Sequence, residues 1–286
     1  MRVADSIMPT AAVCVLALTL TGFVPSAVAS SATGSIPVGQ SASQVLATLT
    51  VGTKSSASSD RKSHQWNKVD GKSGNYTTRD LVLERDMSDV THNARGNVNT
   101  GTLLEPYTGK TIHFQRGASN KSEGGSASNR DGGIQIDHVV AYAEAYRSGL
   151  NRLSFQQRDS YYNDPDVLLA SQAEANNVKK DGTIAEWEPS NQAFQCDYAS
   201  LQIGIKAKYG LTVDQREHDA LAKTLASCPS ETIISTGQVR QRLAGESGSG
   251  NIGGSGNGHA SSGSHVSTSG RGWVRNLFDG LLKRFL

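Results

Sequence analysis

The sequence predicts an α+β fold for one central domain, and three stretches carry that prediction. Ile134, Ile136 and His138 alternate with Gln135 and Asp137 after the turn signal Asp131-Gly132-Gly133, which is the period of a strand. The short apolar run Val167-Leu168-Leu169-Ala170 is followed by Gln172 to Lys180, which reads as a helix ending near Asp181-Gly182. Ala193 to Tyr209 and Val213 to Ser227 then read as two longer helices joined by a very short link.

From the N-terminus, the 286-residue chain begins with Arg2 ahead of an apolar stretch from Ala11 to Val24, and Ala27-Val28-Ala29 supplies the small residues that signal peptidase accepts. Residues 1–29 are expected to be a signal peptide and the mature chain to be secreted. The alternative, an uncleaved anchor, has too few apolar residues against the ~20 that span a bilayer. Residues 30–60 are rich in Ser and Ala with few large apolar side chains, and are expected to form a disordered linker. The domain is expected over 61–230, followed by a flanking segment at 231–244 and a Gly/Ser-rich linker at 245–270. A formal net charge of +2 permits a polyanionic partner where basic residues cluster, without requiring one.

Within the domain, Val140 to Arg147 has helical spacing and stops at Gly149, and a second helix is expected over Ser154 to Tyr162 before Asn163-Asp164-Pro165 breaks the pattern. The run at 167–170 fits either a buried strand or the first turn of a helix capped by Asp164, and the strand is favoured. Gly210 ends the first long helix, and Thr212 with Gln215 suggests a capping box for the second. Two such helices fold back antiparallel, which brings Cys196 and Cys228 to the open end of the hairpin. Cys14 leaves with the signal peptide, so an even pair remains in an oxidising compartment and one disulfide is expected, with two free buried thiols as the alternative.

The chemistry concentrates at Asp137-His138 and at Asn176-Asn177-Val178-Lys179. A hard divalent ion such as Mg²⁺ takes oxygen ligands and keeps several waters, so one carboxylate and one amide oxygen suffice when a substrate phosphate completes the shell. Asp137 and Asn176 suit that role, with Asn177 an adjacent competitor. His138 suits a general base, and Lys179 a charge that meets phosphate. Lys179 and Lys180 also read simply as cations at a helix C-terminus. Neighbouring strand residues face opposite ways, so Asp137 and His138 need a local bend to share a site. His64, His92, His113 and His218 show no zinc spacing, no His-Glu-x-x-His is present, and two cysteines cannot make a Cys₄ site. No glycine-rich phosphate loop is evident.

Several ordered segments resemble a known family. They include Thr78-Arg79, Glu105-Pro106-Tyr107-Thr108-Gly109-Lys110, the Ile-Asp-His-Val-Val run, Asn176 with Lys179, Trp187-Glu188-Pro189, Cys196-Asp197-Tyr198 and Val213 to Cys228. The chain resembles the HNH-type nuclease domain of GmrSD-type restriction endonuclease C-termini and of secreted actinobacterial proteins. The resemblance implies a ββα-metal (HNH, or His-Me finger) core elaborated with helices, including a C-terminal helical hairpin. It implies Asp137 and Asn176 as metal ligands, His138 as the base, and the spacing Asn-x-x-Lys selects Asn176 over Asn177. Two departures stand out. Tyr76 and the stretch 95–97 occupy neighbourhoods where many relatives carry a further cysteine pair, which implies a less firmly held N-terminal half. Val167 stands where relatives often have the middle Asn of the signature, which implies a less rigid loop.

Arg79 is expected either to contact nucleic acid or to pair in the core, while Tyr107, Trp66 and Trp187 are expected to be packing residues. In residues 271–286, Trp273, Val274, Leu277, Phe278, Leu281, Leu282 and Phe285 gather on one helical face, with Arg275, Lys283 and Arg284 on the other. This amphipathic helix is expected to bind a membrane surface or a protein partner, or to dock on its own domain. The expected function is that of a secreted, metal-dependent endonuclease cleaving DNA, with RNA a second candidate substrate, acting as a monomer with little sequence specificity and held near the cell envelope. The alternatives are a nonenzymatic surface-associated DNA-binding protein and a secreted antibacterial nuclease effector.

Overall fold

The structure, a computed structural model, describes residues 34–125 and 132–249. The expected signal peptide, the Gly/Ser-rich stretch beyond residue 249 and the C-terminal amphipathic helix lie outside the described residues. Contacts divide the chain into a unit ending at Ser247 and a second from Gly248 to Leu286, of which only the first two residues are described. Among the described residues no helix is long and apolar enough to cross a membrane.

The first unit is α+β. After α1 (Ala42–Thr48) and α2 (Thr78–Asp86) come three antiparallel strands, β1 (Ser88–His92), β2 (Val98–Leu104) and β3 (Thr111–Gln115), in the order β1-β2-β3. A separate two-stranded sheet pairs β4 (Ile134–His138) antiparallel with β5 (Leu168–Gln172), with α3 (Tyr142–Arg147) and α4 (Phe155–Tyr162) between them in sequence. The expected strand at 134–138 is present, the run expected at 167–170 forms a strand that begins at Leu168 and extends to Gln172, and α5 (Ala173–Lys179) follows β5 directly. Gly132, at φ 72°, makes the turn into β4. A Cβ there would lie 2.6 Å from the Gln115 carbonyl oxygen and 2.7 Å from the Phe114 ring.

The β4–β5 sheet divides two cores. Ile134, Ile136, Leu168 and Ala170 face one way and pack with Val82, Leu83, Met87, Val98, Ile112 and Phe114 from α2 and the three-stranded sheet. Leu169 faces the larger core, built on Tyr198, Leu201, Ile203 and Ile205 of α6 (Gln195–Tyr209) and Leu221 and Leu225 of α7 (Gln215–Ala226). Helices α6 and α7 form the expected hairpin, and Cys196–Cys228 closes its open end at a Cα separation of 6.4 Å. Gly210 takes the left-handed conformation as the C-cap of α6. The N-cap of α7 is Asp214, which accepts from Glu217 N at 2.8 Å, rather than the expected Thr212; the Thr212 hydroxyl is committed to Ser148 O at 2.9 Å.

One segment expected to contribute no core does so, and the flanking segment after the domain adds to it. Residues 34–60 are ordered against the helical hairpin: Ile36, Ala42, Val45 and Leu46 are buried, Gly39 N and Ala42 N donate to the carbonyls of Ile233 and Glu231, and Val213 N donates to Thr50 O. Averaged composition concealed them, because a few apolar residues at helical spacing suffice to cover one face of a short helix. After residue 230, Ile233 and Ile234 are buried, and α8 (Val239–Ser249) adds Val239 and Leu243 and runs past the expected linker boundary at 245.

The N-terminal strap also carries a charge inward. Lys54 Nζ meets Glu144 and Glu217 at 2.8 Å each, beside the buried Lys206, which contacts Glu144 at 3.1 Å and Glu217 at 2.9 Å. Burial opposes ionisation of Glu144, but Lys206 and Lys54 outweigh it and lower its pKa to about 2. In the N-terminal half, the neighbourhoods of Tyr76 and residues 95–97, where the resemblance implied a further cysteine pair in relatives, lie against each other. Asn75 N donates to Arg95 O at 2.8 Å, and Asn97 Nδ2 donates to Asn75 O at 2.7 Å and to Asp80 Oδ2 at 3.0 Å. Asp80 also accepts from Thr77 N, Val98 N and Arg116, so one buried carboxylate ties α2 to the sheet.

Replacing Cys196 and Cys228 together by Ser is expected to lower unfolding free energy by roughly 3–4 kcal/mol, measured in urea, from the loop entropy released. A carboxylate with a depressed folded pKa stabilises fully above its unfolded value and loses that contribution as pH falls through the folded one. Stability supplied by Glu144 should therefore fade from about pH 4.5 towards 2. Lys54→Met raises the folded pKa of Glu144 towards its unfolded value, so it should lower Tm most at pH 7 and flatten the pH dependence, the gap to the unsubstituted protein narrowing as pH falls below about 4.5.

Candidate active site

The site lies where β4, β5 and α5 meet. The turn before it is organised by Glu105, a buried carboxylate that accepts from Tyr107 N at 3.0 Å, Thr108 N at 2.7 Å, Thr108 Oγ1 at 2.6 Å and Gln172 N at 3.1 Å. Burial pushes the pKa of Glu105 up against these hydrogen bonds. The turn aims Tyr107 at Asp137, and the hydroxyl donates to Oδ2 at 2.6 Å. Tyr107 packs edge-on against Trp187 and Tyr198, as expected of a packing residue, but its hydroxyl makes it part of the site as well.

Asp137 also faces α5. Lys179 Nζ donates to Asp137 Oδ1 and to the His138 carbonyl, each at 3.0 Å. Lys179 is 2 % exposed and Asp137 4 %. Burial raises the pKa of Asp137, and the Lys179 charge and the Tyr107 hydrogen bond resist the rise. Lys179 was expected to meet substrate phosphate; its ammonium group is instead the buried counter-ion of Asp137. The spacing that places Lys179 one turn below Asn176 also turns it under the strand rather than into the cleft.

His138 is the last residue of β4. The β4–β5 register runs without interruption from Ile134↔Gln172 to His138↔Leu168, and at this end of the strand Asp137 and His138 border one cleft with no bulge between them. The imidazole is 3 % exposed and packs among Tyr161, Tyr162, Tyr142 and Trp66. His138 Nε2 lies 3.0 Å from Tyr162 O and must donate to it, which leaves Nδ1 with the lone pair in the neutral ring. Burial, together with the Arg61 charge, drives its pKa down to about 3.

Asn176 Nδ2 donates to Gln135 Oε1 at 2.8 Å, which orients the amide and leaves Oδ1 as its open acceptor; Asn177 is held by Gln135 Nε2 at 3.4 Å. Asp137, His138, Asn176 and Asn177 all border one cleft of about 380 Å³, with Arg61, Tyr142, Lys180 and Asp181 on its walls. A second cavity, of about 310 Å³ between the N-terminal strap and α6, has no ionisable lining residue. Arg79 donates to Ile134 O at 3.4 Å.

The loop carrying Val167 is pinned despite the missing asparagine. Val139 N donates to Val167 O and Val167 N to Asp164 O, each at 2.9 Å. Asn163 accepts from Asn67 N at 2.8 Å and donates to Gln65 O at 3.0 Å, which holds the Trp66 segment over His138. His64, absent from the expected site, sits behind it: Nδ1 contacts Asp159 at 2.9 Å and Nε2 meets the Tyr142 hydroxyl at 2.8 Å.

As donors, Asp137 and Asn176 suit a hard divalent ion in kind. Asn176 Oδ1 is open, and each Asp137 oxygen keeps a lone pair beyond its hydrogen bond. Among the described residues no group of three or more His, Cys, Asp or Glu side chains comes together to hold a metal, so an ion here would draw the rest of its shell from water and phosphate.

A strand–strand–helix frame with Asp and His on the first strand and Asn on the helix defines an HNH-like nuclease domain. The model for the C-terminal domain of GmrSD restriction endonucleases matches residues 59–224, and the chain belongs to that family. The chain is also similar to an uncharacterized secreted protein of Arthroderma benhamiae, at 31 % identity over 198 residues, which cover 68 % of this chain and 87 % of that protein. No solved structure matches it.

Lys179→Met leaves a buried carboxylate without its counter-ion and is expected to cost about 3–5 kcal/mol in urea unfolding. The double variant Lys179→Met with Asp137→Asn should recover a large part of that loss, and a double-mutant cycle measures the coupling.

Proposed function

We propose that this protein is a secreted endonuclease that hydrolyses phosphodiester bonds of DNA, and of RNA as a second substrate, with little sequence specificity. The observation that supports this reading most is the neutral His138, hydrogen-bonded through Nε2 so that Nδ1 keeps a lone pair, bordering the same cleft as Asn176 Oδ1 and Asp137. Family membership supports a nuclease-type function, and the secreted relative together with the N-terminal apolar stretch supports an extracellular location. Among the described residues no separate base-reading module stands beside the family domain at 59–224, which favours low specificity.

In this reading His138 Nδ1 takes a proton from water as the water oxygen attacks phosphorus, and the P–O bond to the departing sugar oxygen breaks. Phosphate brings negative charge beside the imidazole, which raises its proton affinity from the low value set by burial and Arg61. Tyr107 and Lys179 hold Asp137 in place, and Gln135 holds Asn176. A divalent ion held by Asp137 and Asn176, Mg²⁺ on the chemistry of the donors, would supply Lewis-acid stabilisation of the phosphate oxygens. A second reading, a nonenzymatic extracellular nucleic-acid-binding protein, is favoured by one observation: the Asp137 charge is already matched by Lys179.

Incubating the purified mature protein with plasmid DNA or RNA, in Mg²⁺ or in chelator, separates the two readings. The nuclease should nick and linearise plasmid only with metal. His138→Gln should slow cleavage by about 10²–10⁴-fold while the circular dichroism spectrum is retained. Undiminished cleavage by that variant would remove His138 as the base, and salt-sensitive binding with no product would favour the second reading.

A further inference from the structure

The cleft holds two cations that its own acids do not neutralise. Of the acidic residues on its walls, Asp137 is paired with Lys179 at 3.0 Å and Asp181 with Arg147 at 2.8 Å. Nearby Arg158 is likewise committed, to Asp60 at 2.9 Å. Arg61 and Lys180 line the same cleft and form no ion pair among the described residues. Both are exposed. They come from different elements: Arg61 opens the 3-10 turn Arg61–Ser63 and lies 5.9 Å from the Tyr162 ring centre, while Lys180 follows the last residue of α5.

Lys180 is also held in an unfavourable backbone conformation. At φ 53° and ψ −123° it sits in the turn closed by Gly182 N to Lys179 O at 3.0 Å, in the position of a type II′ turn that favours glycine. Its side chain is exposed, so no burial offsets that strain. Backbone strain kept at a cleft without a packing gain points to a use for the side chain in the cleft. A lysine and an arginine lining one cleft have together the chemistry to hold phosphate oxygens.

We propose that Arg61 and Lys180 form a phosphate clamp, gripping the sugar-phosphate backbone of a nucleic-acid strand around Asp137, His138 and Asn176. The choice of nucleic acid rests on the nuclease reading. The clamp is a binding and positioning device, and it takes the part the sequence suggested for Lys179.

The test uses the full mature chain and a short fluorescent DNA duplex in chelator, so that binding is read apart from cleavage. Arg61→Gln and Lys180→Gly should each weaken binding several-fold near 0.1 M salt and make the slope of log affinity against log salt shallower by about 1, the signature of one lost phosphate contact. Lys223→Gln, on the exposed face of α7, should leave the slope unchanged. Lys180→Gly should at the same time raise Tm by about 2 °C or more, because glycine relieves the turn, so weaker binding cannot be ascribed to unfolding. Slopes for both cleft variants equal to that of Lys223→Gln would overturn the clamp. Because no metal is present, the predicted slopes would support the clamp even if the unsubstituted protein cleaves nothing, whereas unchanged slopes with intact cleavage would remove the clamp and leave the nuclease reading standing.

Discussion

The candidate site depends on one buried ion pair. Asp137 on β4 and Lys179 at the end of α5 meet at 3.0 Å with both side chains out of solvent, and Tyr107 adds a third attachment from the turn after β2. Separately each charge would be costly in that interior; together, with the Tyr107 hydroxyl and the His138 carbonyl completing their hydrogen bonds, they fix the helix on the strand. Because Lys179 is the counter-ion, Asn176 one turn earlier is carried to the cleft edge, and Lys180 one residue later is turned out into it. The same pair thus sets which residues of α5 are buried and which border the cleft.

A second buried network does for the helical half what this pair does for the site. Glu144, Glu217, Lys206 and Lys54 join α3, α6, α7 and the N-terminal strap, and the disulfide closes the far end of the α6–α7 hairpin. The strap brings Arg61 and Trp66 to the site in the same way, since the segment that begins over α6 and α7 continues past His64, buried against Asp159 and Tyr142. A stretch of low apolar content therefore leads directly into the segment that supplies Arg61 to the cleft wall. Its few apolar residues are enough because they are placed at helical spacing against a face already formed.

Much of the local structure was legible in the chain. Alternation gave β4 its limits, Gly210 marked the end of α6, and Ser154 and Gln157 cap α4 as their types suggest. The cap of α7 was misread because Thr212 and Asp214 are both good cap residues, and only the pairing of Thr212 with Ser148 decides between them. Asp137, His138 and Asn176 were recognisable from residue type and order, and all three border the cleft. The roles of Lys179 and Tyr107 were not recognisable, because whether a lysine or a tyrosine hydroxyl meets solvent, phosphate or a buried carboxylate depends on a partner about thirty or forty residues away.

By itself the sequence determined the α+β class, the strand–strand–helix order, the residue types that suit phosphodiester chemistry and the two cysteines that can close the hairpin. Periodicity, caps and redox chemistry are properties of neighbouring residues, and they survive in a one-dimensional reading. Only the tertiary structure decided that Asp137 and His138 border one cleft at the end of an uninterrupted strand pairing, that Lys179 is buried, and that Arg61 and Lys180 line the cleft with no ion pair among the described residues. Those facts concern burial and electrostatic partnership between distant segments, and such partnerships exist only once the chain has closed on itself.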